Sequence, residues 1–166
     1  MKIAIVGKAG CGKTTFARLI EHDLCHVLNL DEWVNNIYNH IYDSPKVLTF
    51  FRNNFPTCFN IKENSWKPTV NKEKLAEVLS KDSKKRIKLE NFLYKEVFKP
   101  LINKFQNVIV DGILPRFTKD FDLVLYSHVS KQERRRRLKK RGVSKERISQ
   151  IESMQKGFYD VFKKED

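Results

Sequence analysis

Cysteine is scarce in this chain: Cys11, Cys25 and Cys58 are an odd number with no paired spacing. That pattern excludes a disulfide framework, a zinc motif and a redox motif, and leaves reduced thiols as the simplest state. Long apolar runs are missing as well. The opening run Ile3-Ala4-Ile5-Val6 is far too short for a signal peptide, and no later stretch reaches the roughly 20 apolar residues that a membrane span needs. A soluble, cytoplasmic protein with no membrane contact is therefore expected. The chain has no repeats, low-complexity tracts or linker, and its 166 residues suit a single domain, 1–166, with one core. Acidic residues are in deficit, 20 against 33 Lys and Arg, giving a formal net charge of +13. Such a surface attracts anions, whether nucleotides, phosphorylated metabolites or nucleic acid. The lysines are scattered rather than gathered in one stripe. Compositional drift thus accounts for a substantial share of the charge, and nucleic acid is expected to bind non-specifically if at all.

What is present alternates between strand and helix. Ile3 to Val6 is a β-branched run ended by Gly7, the mark of a buried parallel strand. Thr14 to His22 reads as a helix with Phe16, Ala17, Leu19 and Ile20 on one stripe. Val27 to Leu30 reads as a second strand, and Asp31 then caps a helix carrying Trp33, Val34 and Ile37. Residues 44–68, punctuated by Pro45, Pro56 and Pro68, give the weakest pattern. Asn71 caps a helix from Lys72 to Leu79, and Lys84 to Phe105 has a long helical pattern. Val108 to Val110 and Leu123 to Tyr126 read as strands. Ser130 caps a basic helix to Arg141 that Gly142 ends, and Ser144 opens a last helix with Ile148, Ile151, Met154 and Phe158 at helical spacing. The fold class is α/β: a three-layer parallel sheet of four or five strands with helices on both faces. In such sheets ligands bind at the carboxyl ends of the strands, where Gly7, Asp31 and Asp111 all fall.

Gly7-Lys8-Ala9-Gly10-Cys11-Gly12-Lys13-Thr14 matches G-x-x-x-x-G-K-[ST], between an apolar strand and an amphipathic helix. Glycines let the backbone turn tightly and bring N–H groups around phosphate oxygens, at a helix start that favours negative charge. Lys13 is expected to reach the β- and γ-phosphates of ATP, and the Thr14 hydroxyl to bind Mg²⁺. Thr15 is counted with the loop, with packing or a local hydrogen bond as its plain role. A bare Gly-rich turn is the alternative, and the strand-loop-helix context weighs against it.

A GTPase is disfavoured because Asn71-Lys72-Glu73-Lys74 lacks the aspartate of a guanine-reading sequence. A small kinase is the leading class. Such an enzyme needs a carboxylate near the acceptor hydroxyl, and Asp31 is the first candidate, with helix capping as its other role. Asp111 ends an apolar strand in the manner of an aspartate that holds Mg²⁺ through water; a turn residue in Asp-Gly is an even alternative. The basic helix carries Arg134 to Arg137 in succession, which span all its faces, so several must be solvated. Arg137 and Arg141 share a face and could close over ATP as a lid, about 130–147. A nucleic-acid patch is the rival use.

At this point the chain resembles the dephospho-coenzyme A kinase family over most of its length. The opening strand and loop resemble that family's start, and Val27-Leu28-Asn29-Leu30-Asp31 its second strand and acceptor-side aspartate. Asn71 to Leu79, followed by Lys85-Arg86-Ile87-Lys88-Leu89-Glu90, is similar to its Arg-x-x-Leu helix and Leu-Glu pair. Asp122 to Leu125 resembles its fourth strand, and Gln132, Arg137-Leu138, Arg141-Gly142, Ile151 and Gln155 its glutamine–arginine lid. The resemblance implies ATP-dependent phosphorylation of the ribose 3′-hydroxyl of dephospho-coenzyme A, the last step of coenzyme A synthesis. It implies Asp31 as base, Arg137 or Arg141 as lid groups, and an acceptor-binding region at about 31–105.

The chain also departs from that family. Where the family has His-Pro, this sequence has Tyr94-Lys95. The loop after the third strand reads Gly112-Ile113-Leu114-Pro115-Arg116-Phe117, with Arg116 where the family carries glutamate. The spacing from Gln132 to Arg137 is longer, and Tyr159 to Phe162 stands where the family continues into a further strand. A shortened, divergent member is the expectation. His22, His26, His40 and His128 are isolated, and structural roles are expected for them. Phe50, Phe51, Phe55 and Phe59 are expected in core or pocket wall, with Trp33 and Trp66 treated alike. Glu90 has a surface salt bridge as its plain role.

Overall fold

The computed structural model describes residues 1–21, 25–60 and 67–156. His22, Trp66, Phe158 and the stretch Tyr159 to Phe162 lie outside the described residues. In chain order the strands are β1 (Lys2–Val6), β2 (His26–Asn29), β3 (Phe59–Asn60), β4 (Thr69–Val70), β5 (Val108–Asp111) and β6 (Leu123–Tyr126). The helices are α1 (Lys13–Leu19), α2 (Leu30–Asn39), α3 (Pro45–Asn54), α4 (Lys72–Lys81), α5 (Ser83–Leu93), α6 (Lys99–Ile102), α7 (Lys131–Lys140) and α8 (Lys145–Met154). None of the described helices is long and apolar enough to cross a membrane. The chain divides into two compact units, one of Met1–Leu30 with the chain from Tyr94 onward, the other Asp31–Leu93.

The first unit is built on a parallel sheet in the order β2-β5-β1-β6. Ile3 pairs in register with Ile109 on one side and Leu123 on the other, and Asn29 with Asp111. Side chains alternate across the pleat, so Ile3 and Ile5 share one face and Ala4 and Val6 the other. Both faces are covered. Ile3, Ile5 and Ile109 pack with Ala17 of α1, while Ala4, Val6, Val108 and Val110 are also buried. This double burial is why the strand runs are continuously apolar rather than alternating. Each such Val or Ile contributes roughly 1.5–3 kcal/mol when fully buried. β6 is the exposed margin among the described strands, with Leu123 and Tyr126 open to solvent.

The helical pattern of 84–105 is realised in pieces: α5, then a wide π-type turn at Tyr94–Phe98, then α6. Pro100 is the cause visible in the sequence. It has no N–H, and its ring would meet the carbonyl four residues back in a regular helix; a wider turn absorbs that conflict.

The second unit holds α2 to α5 and an antiparallel pairing of β3 with β4. Its core is aromatic. Phe51 and Phe55 are buried, Tyr38 meets Phe51 edge-on at 5.6 Å, and Phe50 stacks on Phe92 at 3.8 Å. Burial, and secondarily the charge of Glu90, pushes the Tyr38 phenol well above its usual range. The cap at Asn71 is as expected: its side chain accepts from the Lys74 N–H at 3.0 Å. Two features differ from the sequence reading. Helix α3 fills much of the unclear region, started by Ser44, whose hydroxyl accepts from the Val47 N–H, with Pro45 in the first turn. Leu30 belongs to α2 rather than to β2, so Asp31 lies inside the first turn of the helix and is not its cap.

Candidate active site

The phosphate loop leaves β1 at Gly7 and re-enters regular structure at Lys13. A Cβ at Gly7 would sit 2.5 Å from both the Cys11 sulfur and the Ser127 carbonyl, so only glycine fits there. Gly10 has a φ of +81°, and a Cβ on it would meet the Arg134 carbonyl of α7 at 3.0 Å. The Cys11 N–H donates to the Lys8 carbonyl at 3.3 Å, closing the turn, and the Ser127 hydroxyl donates to the Cys11 carbonyl at 2.9 Å. The residue before α1 is Gly12, which offers no side-chain cap. First-turn N–H groups without a side-chain cap suit an anion.

Thr14 and Asp111 meet below this loop. Ile5 of β1 pairs with Asp111, the last residue of β5, and this register carries the carboxylate to the carboxyl edge of the sheet beside the loop's helix. The Thr14 hydroxyl donates to Asp111 Oδ2 at 2.6 Å. Asp111 is only 2% exposed, and its Oδ1 has no hydrogen-bond partner. A buried carboxylate oxygen left without a donor is costly unless a cation or water completes it. The pair therefore fits Mg²⁺, a hard cation that takes oxygen donors and keeps several waters. Among the described residues no group of three or more His, Cys, Asp or Glu could hold a metal.

Helix α7 distributes its four arginines. Arg134 is buried, with its backbone against Gly10. Arg135 forms two hydrogen bonds to Glu152 of α8, at 2.9 and 2.7 Å. Arg136 and Arg137 both donate to Glu133, Arg137 from Nε at 2.7 Å. These guanidinium groups hold the Glu133 carboxyl down to about 2. A guanidinium nitrogen of Arg137 lies 3.3 Å from the position of a Cβ on Gly12, against the phosphate loop. Arg137 and Arg141 line one cavity of about 760 Å³ together with Gly12, Thr15, Phe16 and Tyr126. Its lining includes both cationic and aromatic side chains, and its size suits a small-molecule ligand.

The structure thus brings together Gly7 to Thr15, Asp111, Arg137 and Arg141. Asp31 is exposed and opens the second unit, two residues after Asn29, whose register partner is Asp111. Tyr94 is buried, stacked on Phe117 at 4.1 Å, and its hydroxyl donates to Asp120 Oδ2 at 2.8 Å. Burial first, and the Asp120 carboxylate second, raise the phenol well above its usual range. Lys99 completes this network with a 2.9 Å contact to Asp120. Sequence reasoning missed the burial of Arg134 and the role of Glu133. The i, i+3 and i, i+4 spacing of Glu133 to Arg136 and Arg137 was the available signal for the second.

Comparison with known proteins follows the same lines. The profile of the family described as AAA domain matches residues 3–157. The chain is similar to the dephospho-CoA kinase of Aquifex aeolicus (strain VF5), at 25% identity over 87% of this chain and 75% of that protein. Among solved structures, TT1252 from Thermus thermophilus superposes with a TM-score of 0.70 at 21% identity, covering 99% of this chain and 84% of that one. The deoxyadenosine kinase of M. mycoides with bound dATP gives 0.50 at 19% identity, covering 98% and 84%. Since the matched span takes in the sheet, the phosphate loop and α7, the chain belongs to the AAA domain family and carries the fold of a divergent P-loop kinase.

Proposed function

We propose that this protein is an ATP-dependent small-molecule kinase that phosphorylates the 3′-hydroxyl of dephospho-coenzyme A, giving coenzyme A and ADP in the cytoplasm. The observation that carries the kinase reading is the Thr14–Asp111 pair with its unpartnered buried oxygen beneath the loop. The acceptor rests on the similarity to the Aquifex protein and on the sequence stretches quoted above.

In this reading the loop from Gly7 to Thr15, Lys8, Ala9 and Cys11 included, wraps the β- and γ-phosphates, which its remaining amides and the Lys13 ammonium bind while Gln155 and the Lys8 carbonyl hold the Ala9 and Cys11 N–H groups. Thr14 and Asp111 hold Mg²⁺, which when bound offsets charge on the phosphates. Arg137 is held by Glu133 against Gly12, where its charge stabilises the transferring group. Asp31 orients the acceptor hydroxyl and takes its proton as the new O–P bond forms; the bond from the γ-phosphorus to the bridging oxygen breaks, and ADP leaves. The acceptor role falls to about 31–105, and the lid role to about 130–147.

A second reading, a kinase for a nucleoside or nucleotide, draws support from Tyr94. It stands where the dephospho-coenzyme A kinase family has histidine, and its hydroxyl donates to Asp120 within the protein.

The test is ADP production from Mg·ATP with purified protein against dephospho-coenzyme A, nucleosides, nucleoside monophosphates and a short oligonucleotide. Turnover with dephospho-coenzyme A alone, reduced roughly 10²- to 10⁴-fold in Asp31→Asn, is expected. Turnover with another acceptor replaces the substrate and keeps the kinase. No ADP from any acceptor would remove the dephospho-coenzyme A assignment.

A further inference from the structure

The phosphate loop is gripped from outside as well as lined from within. Its crest, Ala9-Gly10, touches two helices that the motif does not include. On one side Gly10 lies against α7, so that an added Cβ would meet the Arg134 carbonyl at 3.0 Å and a Leu138 carbon at 3.2 Å. On the other, the Ala9 N–H donates to the side-chain oxygen of Gln155 at 3.0 Å. Gln155 follows α8 directly, and its own N–H donates to the Ile151 carbonyl at 3.0 Å, which fixes where the side chain begins. One turn earlier on α8, Glu152 is bound by Arg135 at 2.7 Å and approached by Lys131 at 3.7 Å, both on α7. The two helices are thus tied to each other, and each is tied to the loop.

A loop rich in glycine has many conformations to lose before its amides converge on a phosphate. A contact that fixes the crest in advance removes part of that cost from the binding step. Glutamine suits the task. Its carbonyl oxygen accepts the amide proton, and it brings no negative charge beside the phosphates, as a glutamate at the same place would.

We infer that Gln155 is a positioning residue for nucleotide binding, holding the Ala9 amide so that the phosphate loop is set before ATP arrives. The inference rests on the loop's being a nucleotide site, as proposed above, and goes beyond it by assigning a task to a residue outside the motif.

The test is direct measurement of ATP and ADP binding by calorimetry for the wild type, Gln155→Met and Gln155→Ala, with thermal unfolding of each apo protein. Methionine keeps the bulk of the side chain and removes its acceptor. One lost hydrogen bond predicts a rise in Kd of roughly three- to tenfold in both variants, with the apo unfolding temperature lowered in Gln155→Met by no more than one hydrogen bond's worth, about 1 kcal/mol. With the acceptor identified by the panel, KM for ATP rises by the same factor while kcat holds. Kd values equal to wild type in Gln155→Met, or tighter, overturn the inference and leave the kinase reading standing. A wild-type protein that binds neither nucleotide overturns both. Loss that appears only in Gln155→Ala, together with a lower unfolding temperature, assigns the residue to packing and likewise overturns the positioning role.

Discussion

At the scale of single residues, Asp111 and Tyr94 show how little a residue's type says about its use. Both are polar groups buried in the first unit. The Tyr94 phenol has its hydrogen-bond partner in Asp120, and Lys99 balances that carboxylate. Asp111 is left with a bare oxygen. A satisfied polar group is structural, whereas an unsatisfied one calls for a ligand. Tyr94→Phe is therefore expected to lower stability by about 1 kcal/mol, the worth of one hydrogen bond, and to leave the acceptor's KM unchanged. Chemical denaturation with parallel kinetics checks this. A large rise in acceptor KM at unaltered stability would instead give Tyr94 a part in the acceptor site. The spelling Val-Ile-Val-Asp-Gly raised a metal-binding aspartate and a turn residue equally. Burial and the Thr14 contact are what the proposed metal role rests on, and neither can be read from local sequence.

At the scale of elements, α7 behaves as a wired unit rather than a basic stripe. Glu133 accepts from Arg136 and Arg137, and its folded carboxyl is depressed from about 4.3 in an unfolded chain to about 2. The sign follows from linkage. A depressed carboxyl favours the folded state when ionised, so its contribution is fully present above about pH 4.3 and is lost as pH falls towards 2. Glu133→Gln should be less stable than wild type by a constant margin from pH 8 to 5, with the margin shrinking below about pH 4. Thermal unfolding across that range measures it, and a margin independent of pH would show that Glu133 does not act through its charge. The helix itself was legible, from Ser130 at its start to Gly142 beyond its end. So were β1, β5, β6 and the Asn71 cap. The pieces that were not legible have local causes. The π-type turn at Tyr94–Phe98 answers Pro100 through a clash that periodicity does not register. Helix α3 did carry its signal, Ser44 before Pro45, but three prolines across 44–68 masked it.

At the scale of the whole molecule, the charge of +13 remains to be placed. Several basic side chains are consumed internally: Arg135 by Glu152, Arg136 and Arg137 by Glu133, Lys81 by Glu77 and Lys99 by Asp120. Apart from Arg137, which lines the cavity, these are pairs on a surface, and surface pairs are worth little individually. The expected behaviour towards nucleic acid is that of a diffuse polycation. Binding of a short single-stranded oligonucleotide should weaken steeply with salt, by orders of magnitude from 50 to 200 mM, and show no preference among sequences. Fluorescence anisotropy at several salt concentrations checks this. Selective, tight binding near physiological salt would make nucleic acid a ligand in its own right.

The sequence by itself determined the parallel α/β fold and the phosphate loop, because both depend on local rules: apolar runs of strand length, glycines where no Cβ fits, and a lysine and threonine at the start of a helix. Tertiary structure alone decided which polar atoms are left without partners and which are satisfied. Thr14 satisfies one oxygen of Asp111 and leaves the other bare, and Asp120 satisfies the Tyr94 hydroxyl, in each case from a distant point of the chain. It also decided that α8 reaches back to the loop through Gln155, across 146 positions of sequence. Satisfaction of hydrogen bonds is a property of three-dimensional neighbours, and no pattern within one segment contains it.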